Sequence, residues 1–300
     1  MAMKNLIKIL FLIPLFWCFA CTEDVVIDLE EGAPMIVVDG SFTDQMKQHE
    51  VILSYSADFY NSTDIEMIHG AKVSVTDGVD TIRFQEAADS IGHYFSEMTA
   101  GRKNTLYRLM VDVPDETEDD GYIHLFAESF MKDNVDVIDS IAIKPFNGIN
   151  DTTPSVIFFD TIEWLYPYLQ SLPDPTIIYM PMVWKNDTLL TDTLTHRMLI
   201  PQGGYAGYYV NGPEMLEHNK EIPIHYFMKS KLRRGDRVRA ELYSVPMDYM
   251  YYVYSLSSSL GSNPMMGAPT NLITNIQPSG KAVGWFYAAS VVSAETVFDE

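Results

Sequence analysis

The chain has 300 residues, with 20 Lys and Arg against 41 Asp and Glu, a formal net charge of −21. Phosphate binding needs clustered cations, so a chain this acidic is read as having no nucleic-acid partner. Two cysteines cannot staple a disulfide scaffold, so stability has to come from packed cores, which a chain of this length can build.

The first element is the opening segment. Lys4 and Lys8 form a short basic region, and Ile9 to Ala20 is an apolar run broken only by Pro14, the layout of a cleaved secretory signal. Spanning a bilayer takes roughly 20 apolar residues, and this run ends sooner, at Cys21-Thr22-Glu23-Asp24. Ala20-Cys21 resembles the bacterial lipobox, in which the cysteine is acylated and becomes the first residue after cleavage. Cys18 stands where Leu or Val is usual. The reading is a signal peptide at 1–20, lipidation at Cys21 and a lipidated tether at 21–33, which leaves no free thiol. Glu23 and Asp24 resemble the export signal of surface-exposed lipoproteins of the Bacteroidota, which implies an outer-membrane anchor facing the cell exterior.

Residues 34–132 read as a β-sandwich domain. Short alternating runs at 35–38, 51–55, 71–76, 81–84, 92–96, 106–113 and 122–129 predict seven strands, a number and spacing that suit a sandwich. Asp77-Gly78 predicts a hairpin between two of them, since both residues tolerate positive φ. GAKVSVTDG, GHYFS and NTLYRLMVDVPD together look like the immunoglobulin/prealbumin-like sandwich that exported proteins use as an accessory module.

Residues 133–300 read as a second β-rich domain with one helix. A strand is predicted at 137–143, and Pro154, Pro167, Pro173 and Pro175 then punctuate an aromatic stretch expected to be a long excursion. Further strands are expected at 179–184, 195–200, 205–211, 222–231, 237–244, 271–276 and 282–293. Tyr249, Tyr252, Val253, Leu256 and Leu260 fall at helical spacing, so a helix is predicted over 246–260, with Pro246 at its start and Gly261 at its stop. The fold class is mainly β.

IDSI at 138–141, RRGDRVRAELYSV at 233–245, YMYYVYSLSSSL, NP at 263–264, TNI at 274–276 and GWF at 284–286 occur in the order seen in a Bacteroidota lipoprotein family. The chain resembles that family, catalogued as domain of unknown function 4249. Pro278-Ser279-Gly280 stands where the family usually has Gly-Gly, so a different turn is expected there. The resemblance implies a surface lipoprotein of the kind often encoded beside TonB-dependent outer-membrane transporters. It brings no catalytic residues with it.

Chemistry is equally silent. There is no HExxH, GxSxG, phosphate loop or CxxC, and the seven histidines have no metal-ligand spacing, so no cofactor and no metal is expected. DETEDDG at 115–121 imitates half an EF-hand loop, but position twelve is Ala127 where a bidentate glutamate is required. It reads as a solvated loop. Lys229, Lys231, Arg233, Arg234, Arg237 and Arg239 read as the solvent face of strands.

Two features stand out. Asp-(Ser/Thr)-apolar-or-Thr recurs seven times and is similar to the O-glycosylation acceptor of exported Bacteroidota proteins, with Thr81, Ser90, Ser140, Thr152, Thr161, Thr188 and Thr193 as the hydroxyls. Strand ends that favour Asp before a β-former would give the same pattern. The stretch at 156–175 carries large rings, of which Trp164, Tyr166 and Tyr168 are the candidate binding residues for a glycan or peptide ligand. Rings buried on their own domain are the alternative. Three functions stay open: a non-enzymatic accessory to a TonB-dependent transporter, a stand-alone binding or adhesion lipoprotein, and a hydrolase without a recognisable motif.

Overall fold

The computed structural model describes residues 34–56, 65–133, 138–145, 162–169, 177–191, 210–211, 224–228, 231–261 and 272–299. Contacts group Pro34–Glu300 as one compact unit. The first seven strands are β1 (Ile36–Thr43), β2 (Glu50–Tyr55), β3 (Lys72–Thr76), β4 (Thr81–Ala87), β5 (Ser90–Ser96), β6 (Thr105–Pro114) and β7 (Tyr122–Met131). They stand where alternation places them, because one face of each is buried and the other wet. After them come β8 (Ile138–Pro145), β9 (Ile162–Leu169), β10 (Ile177–Lys185), β11 (Thr188–Leu189), β12 (Val210–Asn211), β13 (His225–Met228), β14 (Arg237–Pro246), helix α1 (Met247–Gly261) and β15 (Ala282–Val297).

One mixed sheet runs β11-β10-β14-β15-β1-β2-β5-β4-β3-β6-β7, with β12 beside β10, and a second runs β13-β9-β8. The chain is mainly β and sandwich-like. The last strand lies parallel to the first, β15 against β1, while the other pairings are antiparallel. At the far end of the path β7 returns to β15: the Ala288 N–H donates to Ser129 Oγ at 2.8 Å, and Ser290 Oγ donates to the Lys132 carbonyl at 2.8 Å. The space enclosed is filled by Val38, Phe42, Leu53, Val75, Leu109, Ala127 and Phe286.

β15 is buried on both faces. Ala282, Phe286 and Ala288 point into the sandwich core, whereas Trp285, Tyr287 and Ala289 pack under α1 against Tyr249 and Val253. Gly284 makes the β1 seam possible. Its φ is +110°, and a Cβ there would collide with the Val38 carbonyl oxygen. The helix forms within a residue of its predicted span, with Pro246 ending β14 and Asp248 in the first turn.

Four expectations need amendment. The excursion at 156–175 contains β9, which lies between β13 and β8. Pro167 fits because, among the described residues, β13 pairs only with Ile162 to Leu165 and β8 is the neighbour paired with β9 at Pro167, so a missing N–H is tolerated. The Asp77-Gly78 turn is a four-residue loop in which only Gly78 has positive φ, and Asp77 Oδ1 accepts the N–H groups of Val79 and Asp80. In the 271–276 segment the described residues, 272–276, form no ladder; the first paired residue is Gln277. In the expected 222–231 strand, His225–Met228 form β13 while Ile224 and Lys231 stand outside it, and 222–223 and 229–230 lie outside the described residues. The expected strands at 195–200 and 205–209 lie outside the described residues.

Candidate functional site

The failed strand at 272–276 creates the site. Gln277 exchanges backbone hydrogen bonds with Phe126 at 2.9 and 2.7 Å, which would be the first rung of a ladder along β7. The segment then turns toward β15. Thr274 Oγ1 donates to the Gly284 carbonyl at 2.8 Å, Asn275 Nδ2 donates to the Phe286 carbonyl at 2.7 Å, and the Phe286 N–H donates to Asn275 Oδ1 at 3.1 Å. The Asn275 amide thus imitates a backbone rung on β15, and the Ile273 N–H is taken by Ser255 Oγ of α1. A cleft of about 210 Å³ is left, lined by Glu128, Phe130 and Lys132 on one side and by Pro246, Asp248 and Trp285 on the other.

Its polar groups are unevenly occupied. Arg108 grips Glu128 Oε1 at 2.9 and 2.6 Å, and Asn275 Nδ2 also reaches the Glu128 carbonyl at 3.4 Å. Ser129 Oγ is taken by Ala288, and Ser244 Oγ lies 3.1 Å from Ser290 Oγ. Asp248 is exposed, and Phe130 is 44 % exposed despite its size. The Trp285 ring stacks on Tyr252 at 5.4 Å, and its buried Nε1–H has no hydrogen-bond partner among the described residues. The lining holds two carboxylates, aromatic rings and a strand edge. Such a set can hold a polar chain; its serines have no histidine beside them in the cleft to activate them.

A second polar cluster is self-contained. Glu241, buried on β14, pairs with Arg239 at 3.2 Å and accepts the Tyr243 hydroxyl at 3.0 Å. Arg239 lies over the Trp184 ring, and Lys47, its pKa lowered by burial, sits over the Tyr243 ring and donates to Gln45. Burial, then the charge of Glu241, raises the Tyr243 pKa, so its hydroxyl stays protonated and acts as a donor. Sequence reading missed this cluster because the residues come from β14 and from the loop after β1.

The sequence-derived sites are dispersed. Cys21, Glu23 and Asp24 lie outside the described residues, as do Thr152, Thr161 and Thr193. Trp164, Tyr166 and Tyr168 occupy alternate positions of β9, opposite Lys144, Ala142 and Ser140 of β8. Thr81, Ser90 and Thr188 open β4, β5 and β11; Thr81, Ser140 and Thr188 are exposed and Ser90 is half-buried. The 115–121 loop is solvated. His124 joins it to β6 by contacts of 2.7 Å to both Asp112 and Asp120, which raise the histidine pKa. Among the described residues no group of three His, Cys, Asp or Glu is arranged to hold a metal. Of the basic run, expected on the solvent face of strands, Lys229 lies outside the described residues; Lys231, Arg233 and Arg234 are exposed but in the turn before β14, Arg237 is exposed at the start of β14, and Arg239 turns to Glu241.

Nothing in the sequence announces the cleft, although TNI at 274–276 holds its decisive asparagine. No curated protein matches the chain. The family model described as Domain of unknown function (DUF4249) matches residues 22–161, so the motifs at 233–286 lie beyond the matched span.

Proposed function

We propose that this is a surface-exposed outer-membrane lipoprotein that binds and does not catalyse, working as an accessory to a TonB-dependent transporter. The observation that carries the reading is Cys21 at the end of the apolar run, followed by Glu23 and Asp24. The resemblance to lipoproteins encoded beside such transporters supports the accessory role, and the open cleft supports binding. From Thr22 to Gly32 the chain extends at most about 40 Å, at roughly 3.3–3.6 Å per residue, so an acyl anchor keeps the body within reach of a neighbouring barrel's outer loops.

Metabolic labelling with a fatty acid tests the anchor. Cys21→Ala abolishes the label and frees the protein from the membrane; a labelled or membrane-bound variant contradicts the reading. Replacing Glu23 and Asp24 with alanine leaves the label and hides the protein from external protease, and unchanged protease access removes the export signal. Glycosylation at the Asp-Ser/Thr sites, supported by the exposure of Thr81, Ser140 and Thr188, gives an intact mass above lipid plus polypeptide. A mass equal to that sum excludes it.

A further inference from the structure

Residues of β7 alternate in the direction of their backbone groups as well as their side chains. Asn104, at the foot of β6, donates its N–H to the Met131 carbonyl at 2.7 Å, so odd-numbered residues face β6. Phe126 gives both of its groups to Gln277 on the opposite side, so even-numbered residues face the outer edge. Along that edge Phe126 is paired, the Glu128 carbonyl is met by the Asn275 side chain, and the Lys132 carbonyl is met by Ser290. Between them, the Glu128 N–H and both backbone groups of Phe130 have no hydrogen-bond partner among the described residues, and they lie where the cleft opens. Sheet edges are usually blunted by proline, lysine or a bulge. Here the run is Glu128-Ser129-Phe130, and the β6–β7 register is unbroken.

We infer that the free edge of β7 at Glu128–Phe130 takes up an extended peptide segment of a partner protein by strand addition, with a basic residue of that segment facing Asp248. Backbone hydrogen bonds supply the pairing, and Phe130 with its cross-strand neighbour Leu106, 49 % exposed, supplies an apolar contact for the added strand. The cleft is smaller than the roughly 300–1,000 Å³ of pockets for drug-sized ligands, so it suits one or two residues of a passing chain. Charge selects the occupant. Of the charged lining, Glu128 is already held by Arg108 and Lys132 is a cation, so Asp248 is the exposed carboxylate left to choose the occupant; on a chain of net charge −21 a second copy would bring like charges together, while a segment with a basic residue at Asp248 is attracted.

The inference rests on the binding role proposed above but not on the anchor, and the test separates them. Full-length protein in detergent is titrated with Gly-Val-Lys-Val-Thr-Val-amide carrying fluorescein on its N-terminal amine, so that the lysine stays charged, followed by anisotropy and by hydrogen exchange at single amides. The expected result is saturable binding that slows Phe130 amide exchange by about tenfold or more and leaves Phe126 unchanged. A probe N-methylated at alternate residues does not bind. Phe130→Pro, which removes an N–H that β6 does not use, loses binding, and Phe130→Ala keeps the slowed exchange. Cys21→Ala binds as well as the unaltered chain, so failure of the anchor would leave this result standing. Three results would overturn the inference: no anisotropy change up to on the order of 1 mM probe, equal binding by Phe130→Pro, or a Phe130 amide already protected in the free protein. The last would show that another part of the chain or a second copy covers the edge. If Phe130→Pro does not fold, exchange in the unaltered chain decides alone.

Discussion

The strands before residue 132 and those after residue 236 solve the same burial problem differently. β7 alternates strictly between buried and exposed residues along most of its length, whereas β14 is buried almost throughout and β15 for its first half. A strand with one wet face announces itself by period two. A strand covered by the sandwich on one side and α1 on the other shows only a run of apolar and small residues. β15 joins the two regimes, since Phe286 belongs to the first core and its neighbour Trp285 to the cluster under the helix.

The largest expected effect breaks that join. Gly284→Ala combines positive φ with a collision against the Val38 backbone and should cost about 3–5 kcal/mol or prevent folding, measured by urea unfolding. A loss below about 1 kcal/mol would mean that the seam relaxes easily. As a gauge of the conformational part alone, Gly235→Ala, also at positive φ but with open space around it, should cost about 1 kcal/mol.

A smaller effect belongs to the first region. His49 is buried, its Nδ1 accepting the Thr43 N–H and its Nε2–H donating to the Thr99 carbonyl, and burial lowers its pKa to about 4. The unfolded chain binds this proton below about pH 6.5 and the folded chain only near pH 4, so stability is full above 6.5 and is lost as the pH falls. The slope approaches about 1.4 kcal/mol per pH unit and the total is about 3 kcal/mol. His49→Gln should flatten the His49 part of the profile.

The smallest effect lies on the wet face. Arg108→Gln, which removes an exposed pair with Glu128, should change stability by less than about 1 kcal/mol, and the difference should vanish in high salt.

Legibility follows the same division. All seven early strands were readable because alternation and turn residues agree. The helix was readable from its spacing of apolar rings. Two of the amended segments failed for local reasons. In β9, Pro167 signals a loop, but a strand paired there, among the described residues, with β8 alone accepts it. At 272–276 the apolar and β-branched residues signal a strand, but the Asn275 side chain takes the rung that the backbone would have made. The turn after β10 was also missed: Asn186 and Asp187 both have positive φ, the hairpin signature that was assigned to Asp77-Gly78. The cleft was not readable, because it depends on a strand failing to pair.

If the protein works by holding a partner at the β7 edge, position 130 lies against that partner in cells. A photo-crosslinking phenylalanine analogue placed at position 130 in cells tests it most directly, with the same analogue at Thr81, exposed at the start of β4, as the control. A discrete crosslinked species of higher mass is expected from position 130 and none from position 81. No adduct at 130, or the same adduct from both positions, would contradict it.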